Sequence, residues 1–200
     1  MIYFTSDAHI GHKNSHGGII NLCKRPFPSI PTMDQELVNR NNEVVTDNDE
    51  VYDLGDVAYR CSAQYAIERI RQMNGKRVVV LGNHDKPLRQ AVKRGLADDL
   101  IKSGKLEIVG GMTAIEDESL LIGKVVEIDG YKVVLGHYAY RSWPSAFRKN
   151  TIHLFGHSHS NLSSFYKSMD VGVDTNNFYP YSWHQVKDIM EKKNEEFKEG

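Results

Sequence analysis

Two imidazoles stand two residues apart in "HLFGHSHSN", residues 153–161, directly after a short apolar run and a glycine. His157 and His159 in such a turn suit metal ligation, provided that partners converge on them from elsewhere in the chain. Other apolar runs carry the same polar punctuation. "IYFTS" leads into Asp7 and His9, "VYDLG" into Asp56, "VVVLG" into Asn83, His84 and Asp85, and "KVVLG" into His137. Five strand-like runs therefore end in carboxylate, amide or imidazole groups, four of them immediately after a glycine. In α/β proteins the loops beyond the carboxyl ends of strands meet in the crevice where chemistry is placed. Gathered there, Asp, Asn and His side chains offer what two hard-to-borderline cations need. Without a cation, that much carboxylate and imidazole would be desolvated with nothing to offset it. The lack of thiolate among them argues against a closed structural zinc site and for a hydrolytic one.

The elements that must position these residues are legible in outline. "MIYFTSD" opens as a short strand, and residues 11–31 mix Gly, Pro and polar groups as a long loop. "TMDQELVNRNNEVV" has a helical pattern, with Thr32 as its N-cap and Gln35 at the capping-box position. "SAQYAIERIRQMNGK" is an amphipathic helix that Ser62 can cap and Gly75 can end. "RVVVLG" is a continuous apolar strand of the kind buried on both faces. Residues 88–101 are helical, with a weak point at Gly95. Strands then dominate: "LEIVGG", "SLLIGKVVEIDGYKVVLGH", "IHLFGH" and "MDVGVD", with Asp129-Gly130 as a tight hairpin turn. A last helix starts at Ser182, with Gln185 three residues on, and presents Trp183, Val186, Ile189, Met190 and Phe197 on one side. Alternation early and strands late favour an α/β fold of two packed sheets with helices outside.

At 200 residues with no linker or repeat, the chain reads as a single domain, residues 1–200. Lys plus Arg number 25 against 26 Asp plus Glu, so no long-range charge draws it to nucleic acid or anionic lipid. Cys23 and Cys61 are isolated and expected to be buried reduced thiols. The start, "MIYFTSDAHIGHK", fits neither a signal peptide nor a spanning segment, so cytoplasm is the expected compartment and no membrane partner is expected.

In order, D-x-H, G-D, G-N-H-D, G-H and G-H-x-H, from Asp7 to His159, resemble the motifs of calcineurin-like metallophosphoesterases. The resemblance implies two facing β-sheets flanked by helices, a four-layer αββα sandwich. It implies two divalent metal ions, with Asp7, His9 and His159 on one, Asn83, His137 and His157 on the other, and Asp56 bridging. Manganese leads, and iron, zinc or nickel also suit such ligands. The resemblance assigns His84 the role of general acid. Asp85 is expected to orient its imidazole through the other ring nitrogen, the alternative being that Asp85 caps the turn or pairs with Lys86. Arg60, in "GDVAYR", falls where the family usually has a further polar residue, and is a candidate phosphate contact.

The substrate wall must come from loops. "HYAYRSWPSAFRKN" interleaves aromatic residues with arginines, which makes Tyr140 and Arg141 candidate substrate contacts, or else parts of an anchored surface loop. His12 and His16 lie near the expected entrance, though each alone reads as a surface residue. Asp174 and Asn176 could reach the crevice from the end of "MDVGV". No Lys/Arg-rich helix faces a groove, which favours a small phosphorylated substrate over nucleic acid. The compact ligand set, with no arginine cluster beside it, inclines the reading to a small phosphodiester. A phosphomonoesterase or nuclease on the same site, or a non-catalytic metal-binding scaffold, are the alternatives.

Overall fold

A computed structural model describes residues 1–13, 15–110 and 123–196. Among the described residues, nine strands form two sheets. The first holds β1 (Ile2–Thr5), β2 (Glu50–Asp53), β3 (Lys76–Val80), β4 (Leu106–Val109) and the short β9 (Tyr181–Ser182), in the order β4-β3-β2-β1-β9. All its pairings are parallel except that of β9 with β1. The second holds β5 (Lys124–Ile128), β6 (Tyr131–Leu135), β7 (Thr151–Phe155) and β8 (Ser168–Asp170) in sequence order. Only β5 and β6 run antiparallel, and their turn is Asp129-Gly130 with φ of 48° and 77°. Two successive positive φ values define the turn that matches the twist of paired strands, and Asp followed by Gly tolerates them best.

Side-chain alternation sorts the core into two layers. On β3, Val78 and Val80 face the second sheet while Val79 packs into the helix-side core, as expected of a strand buried on both faces. Between the sheets, Phe4, Tyr52 and Leu54 meet Val133, Leu135, Ile152 and Leu154. On the helix side lie α2 (Ile30–Val44), α3 (Ala63–Gln72), α4 (Lys86–Lys93) and α5 (Asp98–Lys102). The final helix, α6 (Trp183–Glu196), buries Trp183, Val186 and Met190 in the inter-sheet core. The outer side of β7 meets a loop: Tyr140 stacks on His153 at 4.6 Å, with Trp143 close by. The fold is α/β, two sheets flanked by helices.

Several boundaries differ from the sequence reading. The expected loop over residues 11–31 contains a one-turn helix, α1 (Gly18–Leu22). Helix α2 starts earlier than expected because Ser29, not Thr32, caps it and Pro31 sits in its first turn. Helix α3 ends at Gln72, before Gly75. Residues 88–101 divide into α4 and α5 around Gly95, whose φ of 70° breaks the helix. Cys23 and Cys61 are unpaired but only half-buried. Residues 119–122 of the expected strand run, and Phe197 of the last helix, lie outside the described residues. Among the described residues no helix is long and apolar enough to cross a membrane.

One buried ion pair fastens the floor of the site. Arg77 donates to Asp53 Oδ2 at 2.8 Å and to Asn41 Oδ1 at 2.8 Å, joining β3 to β2 and α2. Removing Arg77 would leave a buried carboxylate three residues before Asp56, which burial alone pushes toward protonation. Arg77→Ala is expected to lower unfolding free energy by about 3–5 kcal/mol in urea titrations. Lys102→Ala, which removes the exposed pair with Asp98, should shift the midpoint far less.

Candidate metal centre

The carboxyl ends of the strands bring every expected ligand to one place. Asp7, His9 and His159 form one group whose ligand atoms lie within 4.8 Å of one another, and Asp56, His137 and His157 form a second. Asp56 Oδ2 lies 3.5 Å from His9 Nε2 and also 3.5 Å from His137 Nε2, so this carboxylate stands between the groups. Asn83 Oδ1 lies 3.0 Å from His137 Nε2.

The donor set fits cations. His137 donates its Nδ1–H to Leu54 O at 2.8 Å, which leaves a lone pair on Nε2. Nε2 faces oxygens of Asn83 and Asp56, so a proton or a cation must stand between them; burial opposes charge on His137, and Asp56 outweighs it and raises the imidazole's pKa. Asp7 Oδ1 and both ring nitrogens of His9 are buried without a hydrogen-bond partner. Buried groups of this kind are normally satisfied, and a cation is the partner that would satisfy all of them together.

Charge and burial act against each other here. Burial pushes the Asp7 carboxyl up to about 6 despite the nearby His137 and His159. Burial holds His9 down at about 2, so its imidazole stays neutral and available as a ligand. Burial also opposes charge on Asp56, but His137 and the His84 N–H outweigh it and hold the carboxyl at about 2. Asp56, which stands between the two groups, is thus an anion at 1% exposure.

Local geometry explains the glycines and the ligand types. Asp7, His9, Asp56, His157 and His159 all have φ between 46° and 67°. The left-handed conformation costs on the order of 1 kcal/mol for a non-glycine residue, less for Asp, and clusters of it mark functional loops. Gly156 lets the first loop close on the last: a Cβ there would stand 2.0 Å from Ser6 Oγ and 2.4 Å from Asp7 Oδ2. Gly82 does the same for Asp56, whose Oδ1 would be 2.3 Å from an added Cβ. Asp7 Oδ2 in turn accepts the His157 N–H at 2.8 Å, and Asp56 Oδ1 accepts the His84 N–H at 2.7 Å.

Not every expected residue has its expected surroundings. His84 is half-buried, with its ring 5.6 Å from His9 and 4.1 Å from Tyr59. Asp85 does not orient it. The buried Asp85 carboxylate accepts N–H groups from Gly82, Asp56, Val57 and Ala58 at 2.8 to 3.3 Å, so its lone pairs brace the loop that carries Asp56. Tyr140 packs on His153, and Arg141 lies over the Phe165 ring at 3.8 Å. Tyr138 takes the place expected of Tyr140: its hydroxyl donates to Asn83 Oδ1 at 3.2 Å and its ring is 4.7 Å from His157. Arg60 is exposed, its guanidinium 5.3 Å from the Tyr59 ring. His12 is buried beside His9 rather than on the surface, with ring centroids 5.3 Å apart.

Arg25 is the residue that sequence reasoning missed. Its fully buried guanidinium binds Asp174 through Nε and an Nη, each at 2.8 Å, and donates to the carbonyls of Asp7 and Ala8 at 2.7 and 2.9 Å. Asp174 also accepts from His159 Nδ1 at 2.8 Å, which turns Nε2 toward Asp7. Burial opposes charge on His159, yet Asp174 and the neighbouring Cys23 thiol push its pKa up to about 10. Asp174 follows β8 by four residues, so the strand-end pattern extends to it, whereas "KRP" in a Pro-rich loop carries no such signal for Arg25.

The model of the calcineurin-like phosphoesterase family matches residues 1–166, and the chain belongs to this family. An uncharacterized protein of Methanocaldococcus jannaschii is 31% identical over 199 residues, covering 96% of this chain and 92% of its own length. Among solved structures, a protein of unknown function from Aquifex aeolicus superposes with a TM-score of 0.62 at 22% identity, covering 94% of this chain and 98% of the other. The family match and the two candidate metal-binding groups support metal-dependent phosphoester hydrolysis in general.

Two substitutions separate the supports from the ligands. Asp174→Asn should weaken divalent-ion binding about 10- to 100-fold by calorimetry, the usual effect of losing a partner behind a metal-binding histidine. Asp85→Asn replaces an acceptor pair with one acceptor and two donors, stranding loop N–H groups at about 1–3 kcal/mol each. Its expected signature is a lower melting temperature and lower metal occupancy together, with the dependence of rate on leaving group unchanged.

Proposed function

We propose that this chain hydrolyses a small phosphodiester at a centre of two divalent cations. Asp7, His9 and His159 would hold one, Asn83, His137 and His157 the other, and Asp56 would serve both. The observation that carries the reading is the equal 3.5 Å approach of Asp56 Oδ2 to His9 and His137. When bound, such a pair would supply charge neutralisation at the phosphoryl group and activation of water for attack. Manganese suits the mixed oxygen and imidazole set, as do iron, zinc and nickel.

The chain's own residues supply the rest. His84 stands beside the ligand cluster and belongs to none of the ligand groups, so its imidazole is free to protonate the departing alkoxide. Tyr59 packs against that ring at 4.1 Å and restricts its rotation. The Tyr138 hydroxyl, fixed on Asn83, borders the opposite side of the cluster near His157. No Ser or Cys nucleophile is required. Ser158 instead donates to Asp170 at 2.6 Å, within the turn that presents His157 and His159.

Metal-reconstituted protein should cleave an activated aryl phosphodiester faster than the matching monoester, and chelation should abolish turnover. A strong monoester preference would reverse the substrate class, and no turnover with full metal occupancy would leave a binding module. His84→Ala should retain both metals and lose roughly 10²–10⁴-fold in rate. That loss should grow as the leaving group becomes more basic, because an alkoxide needs a proton at departure and a nitrophenolate hardly does. An unchanged slope of rate against leaving-group pKa would remove His84 from the acid role.

A further inference from the structure

Next to His84 the surface opens into a cleft of about 450 Å³ lined by Tyr59, Arg60, Cys61, Lys86, Pro87 and Gln90. Its composition is one-sided: two cations and no carboxylate. Burial pushes the Cys61 thiol up to about 11, so the wall gains no anion from it. Neither Arg60 nor Lys86 is held in an ion pair among the described residues. Arg60 has φ of 54° and rests over the Tyr59 ring, so an arginine is kept in a left-handed turn at the rim. Lys86 opens α4, whose first turn contains no acidic residue. A cation at the positive end of a helix opposes the helix dipole, so stability does not explain it there.

The cleft also has a direction. Tyr59 lines it and packs against His84, and Lys86 follows His84 by two residues. A leaving group whose oxygen takes a proton from His84 therefore continues past Tyr59 toward Arg60 and Lys86. With His84 close to Tyr59 and Arg60 also over that ring, the aromatic surface offers little room to stack a base. What the cleft can recognise is charge.

We propose that this cleft receives the leaving group of the substrate, and that this group carries a second phosphate as a phosphomonoester. A phosphomonoester near neutral pH carries close to two negative charges and several acceptor oxygens, matching one guanidinium and one ammonium. The substrate class is then a phosphodiester of a phosphorylated alcohol, and the cleft rests on the hydrolase reading above.

The test uses three methyl aryl phosphodiesters whose departing phenol carries a hydroxyethyl, a carboxyethyl or a phosphorylated hydroxyethyl side chain. On the manganese-loaded protein, kcat/KM should favour the phosphorylated ester over the hydroxyethyl ester by about 10- to 100-fold, the worth of charge-assisted contacts. Lys86→Gln and Arg60→Gln should each shrink that ratio, which cancels any general loss of activity. A ratio near one, a ratio untouched by both variants, or equal preference for the carboxyethyl ester would overturn the proposal. Turnover of the hydroxyethyl ester reports on the hydrolase reading separately. A second measurement needs no turnover: the phosphorylated phenol is titrated into chelator-treated protein. Saturable binding that the Arg60→Gln/Lys86→Gln double variant weakens about 10-fold or more supports the cleft. Its absence in the parent, or equal binding by the variant, contradicts it.

Discussion

The Asp56 carboxylate, placed midway between two imidazole nitrogens, is the constraint around which the rest is arranged. One oxygen faces His9 and His137, while the other is committed to the His84 N–H. The anion is held there against the cost of burial, and its own loop is fixed by the three N–H groups of Asp56, Val57 and Ala58 that end on Asp85. Asp85, next in sequence to the proposed proton donor His84, thus also braces the loop that carries Asp56.

Two sheets must close on one another for this arrangement to exist. Ser6 pairs with Gly172, Asp7 accepts the His157 N–H, and Gly156 leaves room for both Ser6 and Asp7. The ends of β1, β7 and β8 therefore meet at atomic contact. Arg25 strengthens the same junction from below, joining the Asp7-Ala8 backbone to Asp174 and through it to His159. The left-handed backbone of Asp7, His9, Asp56, His157 and His159 is tolerated because glycines, carboxylates and this guanidinium over-determine the loops.

Much of this was legible in the sequence because each ligand follows its strand directly. A run such as "VVVLG" declares both the strand and the point where it ends, and its polar successor inherits a position at the carboxyl edge. Legibility fell where position depends on contacts remote in sequence. Arg25 and Asp174 are 149 residues apart, and Asp85 bonds to N–H groups 27 to 29 residues away. The loop after His137 has no periodicity to tell which side faces the crevice, so Tyr138 lies at the ligands while Tyr140 and Arg141 pack elsewhere. His12 looked like a surface residue because its burial depends on His9 and Tyr59 folding over it. Ser29 was readable in principle, since Pro31 already marked a first turn there.

Whether one carboxylate serves two cations is decided by a calorimetric manganese titration of the parent beside Asp56→Ala, with His9→Ala, a change in one proposed site, as the comparison. Two ions per chain are expected in the parent, weakening of both sites together in Asp56→Ala, and one largely retained site in His9→Ala. A parent that binds a single ion, or an Asp56→Ala variant that keeps one site at parental affinity, would contradict that sharing.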